Sequence, residues 1–278
     1  MDKISLKIKL MYDEMGKAEK QIADWIHQNP GKIISLSIVE LAEQCRCSEA
    51  TIVRFSKRLG MSGFQELKIS LAAEGGGSSV STSITRDDSP FDIYEKVCND
   101  VFLSLEKTKK SLSPKALAAA TDALSNAGRI VLFGLGNSAS IAQDGAHKFL
   151  RAGLQAVAYS DNHMQVIAAS HLKKGDVALA ITHSGSSRDI VDALKVAKEQ
   201  GAVTIAVTNA GKSPVLKHSD IVLSTSADET RYNILGLNSR IVQLAIIDAL
   251  YFSLVYRRSD EAIESINATE HALLSKKY

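Results

Sequence analysis

Apolar residues recur along the chain with two different periods. Between Lys17 and Leu71 they return every three or four positions, which is typical of short amphipathic helices. Beyond Arg129, short runs of consecutive apolar residues alternate with helical patterns, which is typical of buried parallel strands linked by helices. The change of period predicts a small all-α domain followed by a larger α/β domain.

The α/β part contains five short apolar runs that we predict as strands. Helical segments separate them, so we expect a doubly wound, five-stranded parallel sheet with right-handed crossovers. The predicted strands are residues 130–133, 156–159, 177–181, 203–207 and 221–223. A long apolar segment, Ser239 to Arg257, predicts a helix that covers the sheet or pairs two protomers.

A stretch rich in Gly, Ser and Thr separates the two parts. Residues 74–89 contain three consecutive glycines and a polar run, the composition of a flexible linker. We therefore predict one domain of residues 1–73 and a second of residues 90–278. The second should open with a helix, because Ser89 and Pro90 suit its N-cap and first position. The expected buried face of that helix holds Tyr94, Val97, Cys98, Val101 and Leu105.

Two short helices in the first domain are separated by a very tight turn. The first follows Ser37, which stands three residues before Glu40 as in a capping box. The second follows Ser48 and ends at Gly60, a residue suited to a helix C-terminus. One face of the second helix is apolar, and the other is predicted to carry Ala50, Thr51, Arg54, Lys57 and Arg58. This is the helix-turn-helix pattern, in which the second helix enters the major groove of DNA.

The charge around this motif fits a nucleic-acid partner. The net charge of +2 on the whole chain indicates nothing, but residues 46–68 hold five basic side chains against two acidic ones. The candidate DNA-contacting residues are Ser48, Glu49, Thr51, Arg54, Lys57 and Arg58. The same pattern also fits a three-helix interaction domain that never contacts DNA.

The loop after the predicted strand 177–181 has the composition of an anion site. Residues 182–187 are Thr-His-Ser-Gly-Ser-Ser, and a helical pattern begins directly after them at Arg188. A helix N-terminus offers backbone N–H groups and the positive end of the helix dipole, and the hydroxyls add neutral donors. A phosphate group fits that chemistry.

A second glycine-containing loop follows the predicted strand 130–133. Gly134-Leu-Gly-Asn-Ser-Ala139 has the loose form G-x-G-x-x-A, and Asp161 follows the next strand as a ribose-binding acid would. A dinucleotide-binding enzyme is therefore one hypothesis. Two Gly/Ser loops at one edge of a sheet suit a single small phosphorylated ligand better, and ordinary turn chemistry is the alternative for both loops.

The composition argues against several classes of protein. Cys45, Cys47 and Cys98 are too few for a disulfide framework and lack the spacing of a zinc site. No apolar run approaches the length of a membrane span, and the first residues lack the apolar segment of a signal peptide. We therefore expect a cytoplasmic protein with no metal, no cofactor and no membrane partner.

These motifs carry a resemblance to a known family. The loops 134–138 and 182–187 resemble the two phosphosugar-binding loops of the sugar isomerase (SIS) domain. The first domain resembles the helix-turn-helix of RpiR-type bacterial regulators, through Ser48-Glu-Ala-Thr-Ile-Val-Arg-Phe-Ser-Lys-Arg-Leu-Gly60 and Gly63-Phe-Gln-Glu-Leu-Lys68. The two motifs in this order are far more specific than either alone.

The resemblance implies a transcription factor whose DNA affinity is set by a sugar phosphate. The residues it assigns to the effector by motif position are Gly136, Asn137, Ser138, His163, Ser184, Ser186, Ser187 and Glu229. Ser138, Ser184 and Ser187 would hold the phosphate. His163 and Glu229 would face the sugar hydroxyls. The second loop departs from the commoner Ser-Gly-Glu/Arg-Thr form, which leaves the identity of the sugar open.

Two functions are compatible with these motifs. The first is a regulator of sugar metabolism genes with no catalytic residue, acting as a homodimer or higher oligomer on a double-stranded DNA operator. The second is a sugar-phosphate isomerase with an accessory helical domain, in which Glu229 or His163 would be the base. No paired acid/base signature stands out in the sequence, which favours the regulator.

Overall fold

A computed structural model describes residues 4–29, 32–34, 36–74, 84–227 and 237–276. These residues divide into two compact units, and the division falls between Phe102 and Leu103, inside one long helix. The second unit contains the sheet. Most of the predicted linker lies outside the described residues, so the domain boundaries at residues 73 and 90 stay predictions.

The first unit is all-α, as the sequence predicts. Its first five helices are α1 (Ile4–Met11), α2 (Lys17–Gln28), α3 (Ile38–Gln44), α4 (Glu49–Arg58) and α5 (Phe64–Glu74). Their fully buried core includes Ile22, Leu41, Ile52, Phe55, Leu59 and Leu67. Burial of a large apolar side chain contributes roughly 1.5–3 kcal/mol, so this cluster holds the helices together.

Side-chain caps start α3 and α4 where the sequence predicts. The Ser37 hydroxyl accepts a hydrogen bond from Glu40 N at 3.2 Å, and Ser37 N donates to the Glu40 carboxylate at 2.8 Å. The Ser48 hydroxyl accepts from Thr51 N at 3.2 Å. Between the helices Arg46 adopts a φ of +50°, which turns the chain sharply. The caps and this turn determine where α4 starts.

Helix α6 (Pro90–Ser111) differs from its prediction. Val101 and Leu105 are half-buried, but Tyr94 is 62% exposed, Val97 is 41% exposed and Cys98 is also exposed. The predicted burial of Tyr94, Val97 and Cys98 was therefore wrong. Among the residues that the structure describes, the predicted face of α6 is covered in part only at Val101 and Leu105.

The second unit is the predicted doubly wound sheet, preceded by α7 (Pro114–Ser125). Strands and helices then alternate as β1 (Ile130–Gly134), α8 (Asn137–Arg151), β2 (Ala156–Tyr159), α9 (Asn162–Ser170), β3 (Val177–Ile181), α10 (Arg188–Glu199), β4 (Val203–Asn209) and β5 (Ile221–Thr225). All neighbouring strands are parallel, in the order β2-β1-β3-β4-β5. The five predicted strands are confirmed, with ends that differ by at most two residues.

Alternate residues along the central strands face two different layers of helices. In β1, Ile130 and Leu132 join a core with α7 and α8, whereas Val131 and Phe133 join a core with α9 and α10. Because both faces of the sheet are covered, β1 and β3 are apolar at every position rather than at alternate ones.

A long helix, α11 (Leu237–Leu273), packs on the same face as α8 and extends well beyond the predicted end at Arg257. Its backbone leaves helical geometry at Ser259. By length and composition alone α11 is apolar enough to span a membrane. Its side chains Ile246, Ile247 and Leu250 belong to the core over the sheet.

Gly134 lets α8 begin very close to the end of β1. A Cβ at this position would lie 2.5 Å from the carbonyl O of Ser138 and 2.7 Å from its carbonyl C. Backbone atoms cannot yield as a flexible side chain can, so any larger residue must displace the first turn of α8.

We expect Gly134→Ala to lower the free energy of unfolding by about 1–3 kcal/mol, because overpacking at this site strains the β1–α8 turn. Urea unfolding followed by circular dichroism measures the change. Gly63→Ala is the matched control, since a Cβ there would meet nothing within 4 Å. Equal stability of the Gly134 variant and the wild type would contradict the close approach.

Candidate functional sites

The sheet reverses its winding direction between β1 and β3. The chain continues from β1 through α8 to β2 on one side, and from β3 through α10 to β4 on the other. Gly134 pairs with Ile181 in the parallel register, so the loops that follow these residues leave the sheet side by side. Small ligands of doubly wound sheets bind in the crevice at such a point. Both loops predicted to bind phosphate lie here.

The first loop, residues 134–138, leads directly into α8. Gly136 occupies the N-cap position with a φ of +55° and is exposed to solvent. A glycine supplies no side-chain acceptor to the first N–H groups of the helix. Ser138 is half-buried, and its hydroxyl has no hydrogen-bond partner among the residues that the structure describes. The backbone N–H groups of Ser138 and Ala139 already donate to the carbonyl O of Leu135 and of Gly136, each at 3.1 Å, so this helix start offers an anion the Ser138 hydroxyl and the positive end of the helix dipole.

Backbone hydrogen bonds from two neighbouring segments hold the second loop, residues 182–187. The carbonyl O of His183 accepts a hydrogen bond from Asn209 N at 3.0 Å, and that of Gly185 accepts from Val215 N at 3.0 Å. Inside the loop, Ser184 Oγ accepts from Ser186 N at 3.3 Å. The loop thus has its shape before any ligand binds.

Ser187 stands at the N-cap of α10 but does not cap it. Serine is a favoured N-cap residue because its oxygen accepts a hydrogen bond from the second or third N–H of the helix. Here the half-buried side chain makes no capping hydrogen bond. Its hydroxyl and the first turn of α10 together present the same donors that anion-binding helix termini use.

Gln165 is a residue of this region that the sequence reasoning missed. It is fully buried, and its Nε2 donates to the carbonyl O of Gly134 at 3.1 Å and of Tyr159 at 2.9 Å. Both partners are carbonyl oxygens, so the amide atom that faces them is the donor Nε2. The Oε1 atom of the same amide is buried and has no hydrogen-bond partner among the described residues. Gln165 thereby ties α9 to the carboxyl ends of β1 and β2. The only sequence signal is a polar residue on the buried face of an apolar helix.

His163 lies in the first turn of α9. Its side chain is exposed, and α9 starts at the carboxyl end of β2, beside that of β1. Asp161 caps the same helix, with its carboxylate accepting a hydrogen bond from Met164 N at 2.9 Å. Glu229 lies outside the described residues, so its place in the site stays a prediction.

In the other unit, α4 presents an exposed basic face. Ala50, Arg54 and Lys57 are exposed and Val53 is half-buried, so this side of the helix is open along its length. Ser48 is exposed at the N-cap. Glu49 is half-buried in the first turn. In a recognition helix, the N-terminal turn and the exposed face are the parts that contact base edges.

Four of the six candidate contact residues make side-chain hydrogen bonds within the helical unit. They are Ser48, Thr51, Arg54, whose Nη2 donates to Thr51 Oγ1 at 3.4 Å, and Arg58. The sequence predicts Thr51 on the outer face, but Thr51 is only 9% exposed, because its side chain turns inward beside Ser48, with 2.9 Å between their hydroxyl oxygens. Arg58 donates to the Glu19 carboxylate at 2.9 Å and to the Glu14 carbonyl O at 2.9 Å. The predicted outward placement of Thr51 was wrong, whereas contact of Arg58 with DNA stays a prediction.

Known families match both units. Residues 3–76 match the helix-turn-helix domain of the rpiR family, and residues 123–253 match the SIS domain. A solved structure of similar fold is the Vibrio vulnificus NanR protein complexed with ManNAc-6P. It superposes with a TM-score of 0.83 at 24% identity and covers 99% of each chain.

Curated relatives align along nearly the whole chain. An uncharacterised HTH-type transcriptional regulator of Caldanaerobacter subterraneus is 36% identical over 272 residues, which is 97% of this chain and 96% of that protein. The HTH-type transcriptional regulator HexR of Pseudomonas aeruginosa is 35% identical over 274 residues, 98% of this chain and 96% of HexR. With these relatives and both domains in this order, the chain belongs to the RpiR family of HTH-type transcriptional regulators.

Proposed function

We propose that this chain regulates sugar metabolism genes by binding an operator with an affinity that a sugar phosphate sets. The observation that carries the proposal is the pair of Gly/Ser loops, which leave adjacent strands and open into two helix N-termini. Such an arrangement suits one compact phosphate group. The protein would act in the cytoplasm, where the operator is.

The effector is a phosphosugar in this proposal, not phosphate alone. Ser138, Ser184 and Ser187 would hold the phosphate, with Gly136, Asn137 and Ser186 completing the two loops. His163, exposed at the same edge of the sheet, and Glu229 would bind sugar hydroxyls. The likeness of fold to NanR, which was solved with the phosphosugar ManNAc-6P, supports this ligand class.

The DNA contacts would come from α4. The exposed guanidinium of Arg54 suits a bidentate contact with guanine, and Lys57 suits a phosphate. A homodimer would place two such helices on half-sites one helical turn, or a multiple of it, apart. The sugar phosphate must bind one arrangement of the dimer more tightly than the other, since a ligand with equal affinity for both shifts nothing.

A binding assay with DNA from upstream of its own gene tests both halves of the proposal. We expect specific binding that strengthens at low salt and changes with one sugar phosphate, but not with the unphosphorylated sugar or inorganic phosphate. In a thermal-shift screen the effector at a hundred times its Kd should add about 2.7 kcal/mol of stability. Rapid turnover of a sugar phosphate would favour an isomerase instead, and DNA binding that no phosphosugar alters would contradict the regulatory site.

Alanine substitutions in the second loop should weaken effector binding. Ser187→Ala removes a hydroxyl that caps nothing, so Kd should rise about tenfold or more while ligand-free unfolding is unchanged. Ser184→Ala should also raise Kd and leave ligand-free DNA affinity intact. Ser170→Ala, at the last residue of α9, is the matched control. Titration calorimetry measures Kd, and unchanged values in both loop variants would remove this loop from the site.

Arg54→Ala should remove the preference for the operator, at a cost of about 1–3 kcal/mol in specific binding. Lys57→Ala should instead weaken specific and non-specific binding alike and reduce the salt slope by about 1. Sugar-phosphate affinity should survive in both variants. Fluorescence anisotropy with operator and scrambled DNA measures the difference. If Arg54→Ala keeps its operator preference, α4 is not the helix that reads the sequence.

A further inference from the structure

The first half of α9 is attached to the sheet through a single buried side chain. Among residues 161–167, all of which the structure describes, only Gln165 is buried and the other six are exposed. The next buried residue of the helix is Ala169, one turn later, in the core that α9 shares with β1 and β3. The position of the first turn of α9 on the sheet therefore depends on Gln165.

The amide of Gln165 joins β1 to β2 beyond the last pair of their ladder. That pair is Phe133 with Tyr159. Past it, Gln165 Nε2 donates to the carbonyl O of Tyr159 at 2.9 Å and to that of Gly134 at 3.1 Å. A primary amide carries two hydrogens on one nitrogen, so it can serve both carbonyls at once without burying a charge. The first turn of α9 is thereby bound to the ends of two strands.

Through Gly134 the same amide is connected to the first effector loop. Gly134 is the last residue of β1, and Ser138 lies in the first turn of α8. The two residues approach so closely that a Cβ on Gly134 would overlap the backbone carbonyl of Ser138. Because Gln165 binds the carbonyl of Gly134, it also fixes where α8 begins. Gln165, Gly134 and Ser138 are thus linked by backbone contacts with little freedom to move.

On the other side, Gln165 is linked to His163 by the helix itself. His163 stands two residues earlier in the first turn of α9, and its side chain is exposed. Backbone positions within one helical turn move together, because hydrogen bonds join successive turns. Ser138 is proposed above for the phosphate and His163 for the sugar hydroxyls. The amide of Gln165 therefore sets the distance between the phosphate end and the sugar end of the proposed site.

We propose that Gln165 is a positioning residue that determines which phosphorylated sugar this site prefers. It touches no ligand itself, and it acts by holding α9 at one distance from the first loop. A site with its spacing fixed in advance loses less free energy in ordering itself around the ligand. A sugar too short or too long for that spacing loses contacts at one end, which is a difference of affinities and hence specificity. This role rests on the sugar-phosphate effector proposed above.

The two ends of the site should respond differently to a change at Gln165. Inorganic phosphate would contact only the two loops, so its affinity does not depend on where α9 lies. A phosphorylated sugar would contact the loops and His163 together, so its affinity does. The ratio of these two affinities is therefore the quantity that separates a positioning role from a general contribution to folding.

Gln165→Met keeps the length of the side chain and removes the donor. Titration calorimetry on the full chain would use a panel of phosphorylated trioses, pentoses and hexoses, with inorganic phosphate as a competitor. The wild type should prefer one sugar of the panel. In Gln165→Met that preference should fall about tenfold, because both hydrogen bonds that hold α9 are lost, while the affinity for inorganic phosphate should change by less than about threefold.

Gln165→Asn is a second variant, and it keeps the test decisive if the Met variant does not fold. It retains the amide but is one methylene shorter, so it cannot reach both carbonyls with α9 in place, and the same loss of preference is expected. Thr121→Val is the matched control. It removes a buried hydroxyl of α7 that donates to the carbonyl O of Leu117 at 3.0 Å, and it should leave the preference intact.

Two results would overturn the positioning role and leave the effector site standing. One is an unchanged preference among the sugars in a folded Gln165 variant. The other is a loss of affinity in equal proportion for inorganic phosphate and for the sugar phosphates, which is what a purely structural residue would give. A wild type that binds no sugar of the panel more tightly than inorganic phosphate would instead contradict the effector site itself, and the role of Gln165 with it.

Discussion

The parallel pairing of β1 with β3 is the contact on which the candidate effector site depends. Both strands are buried along their whole length, and their hydrogen bonds set Gly134 beside Ile181. A slip of one residue would turn each side chain to the opposite layer of helices, so the register is strongly specified. From β1 the chain continues toward β2 and from β3 toward β4, which lie on opposite sides of this strand pair. The register therefore places the N-termini of α8 and α10 at neighbouring positions on the carboxyl edge of the sheet. The adjacency of the two proposed phosphate loops follows from the sheet, and the serines would add hydroxyl donors to it.

Two further contacts, one at Gly134 and one from Gln165, fix the first loop at the end of β1. Gly134 has no room for a Cβ, so α8 starts directly on the end of β1, and Gln165 binds the Gly134 carbonyl from the other side. This binding leaves the buried Oε1 of Gln165 unpaired among the described residues. An unpaired buried acceptor costs about 1–3 kcal/mol. The two hydrogen bonds of Gln165 Nε2 therefore fix the loop at the expense of an unpaired acceptor.

Local pattern predicted the strands well because a sheet covered on both faces leaves continuous apolar runs. It placed the ends of β4 and β5 two residues early, since Asn209 and Thr225 are polar yet continue the ladder. Periodicity marks a helix face as apolar but cannot say what covers it, which is why the buried face of α6 was wrong. Burial of Thr51 depends on the angle at which α4 packs, and no local pattern encodes that angle. The two loops were predicted from their composition and their place after strands, whereas the roles of their individual residues came from the resemblance and stay predictions.

Helix α6 is the element that the two units share. Its C-terminal end bonds to Ser226, the residue directly after β5, at the carboxyl edge of the sheet where the effector loops also lie. Its N-terminal half belongs to the helical unit that carries α4. A ligand shifts an equilibrium only by binding its two states with different affinity, so the effector must favour one state of an element that both units share. Helix α6 is such an element, because it runs from the helical unit into the sheet unit without a break.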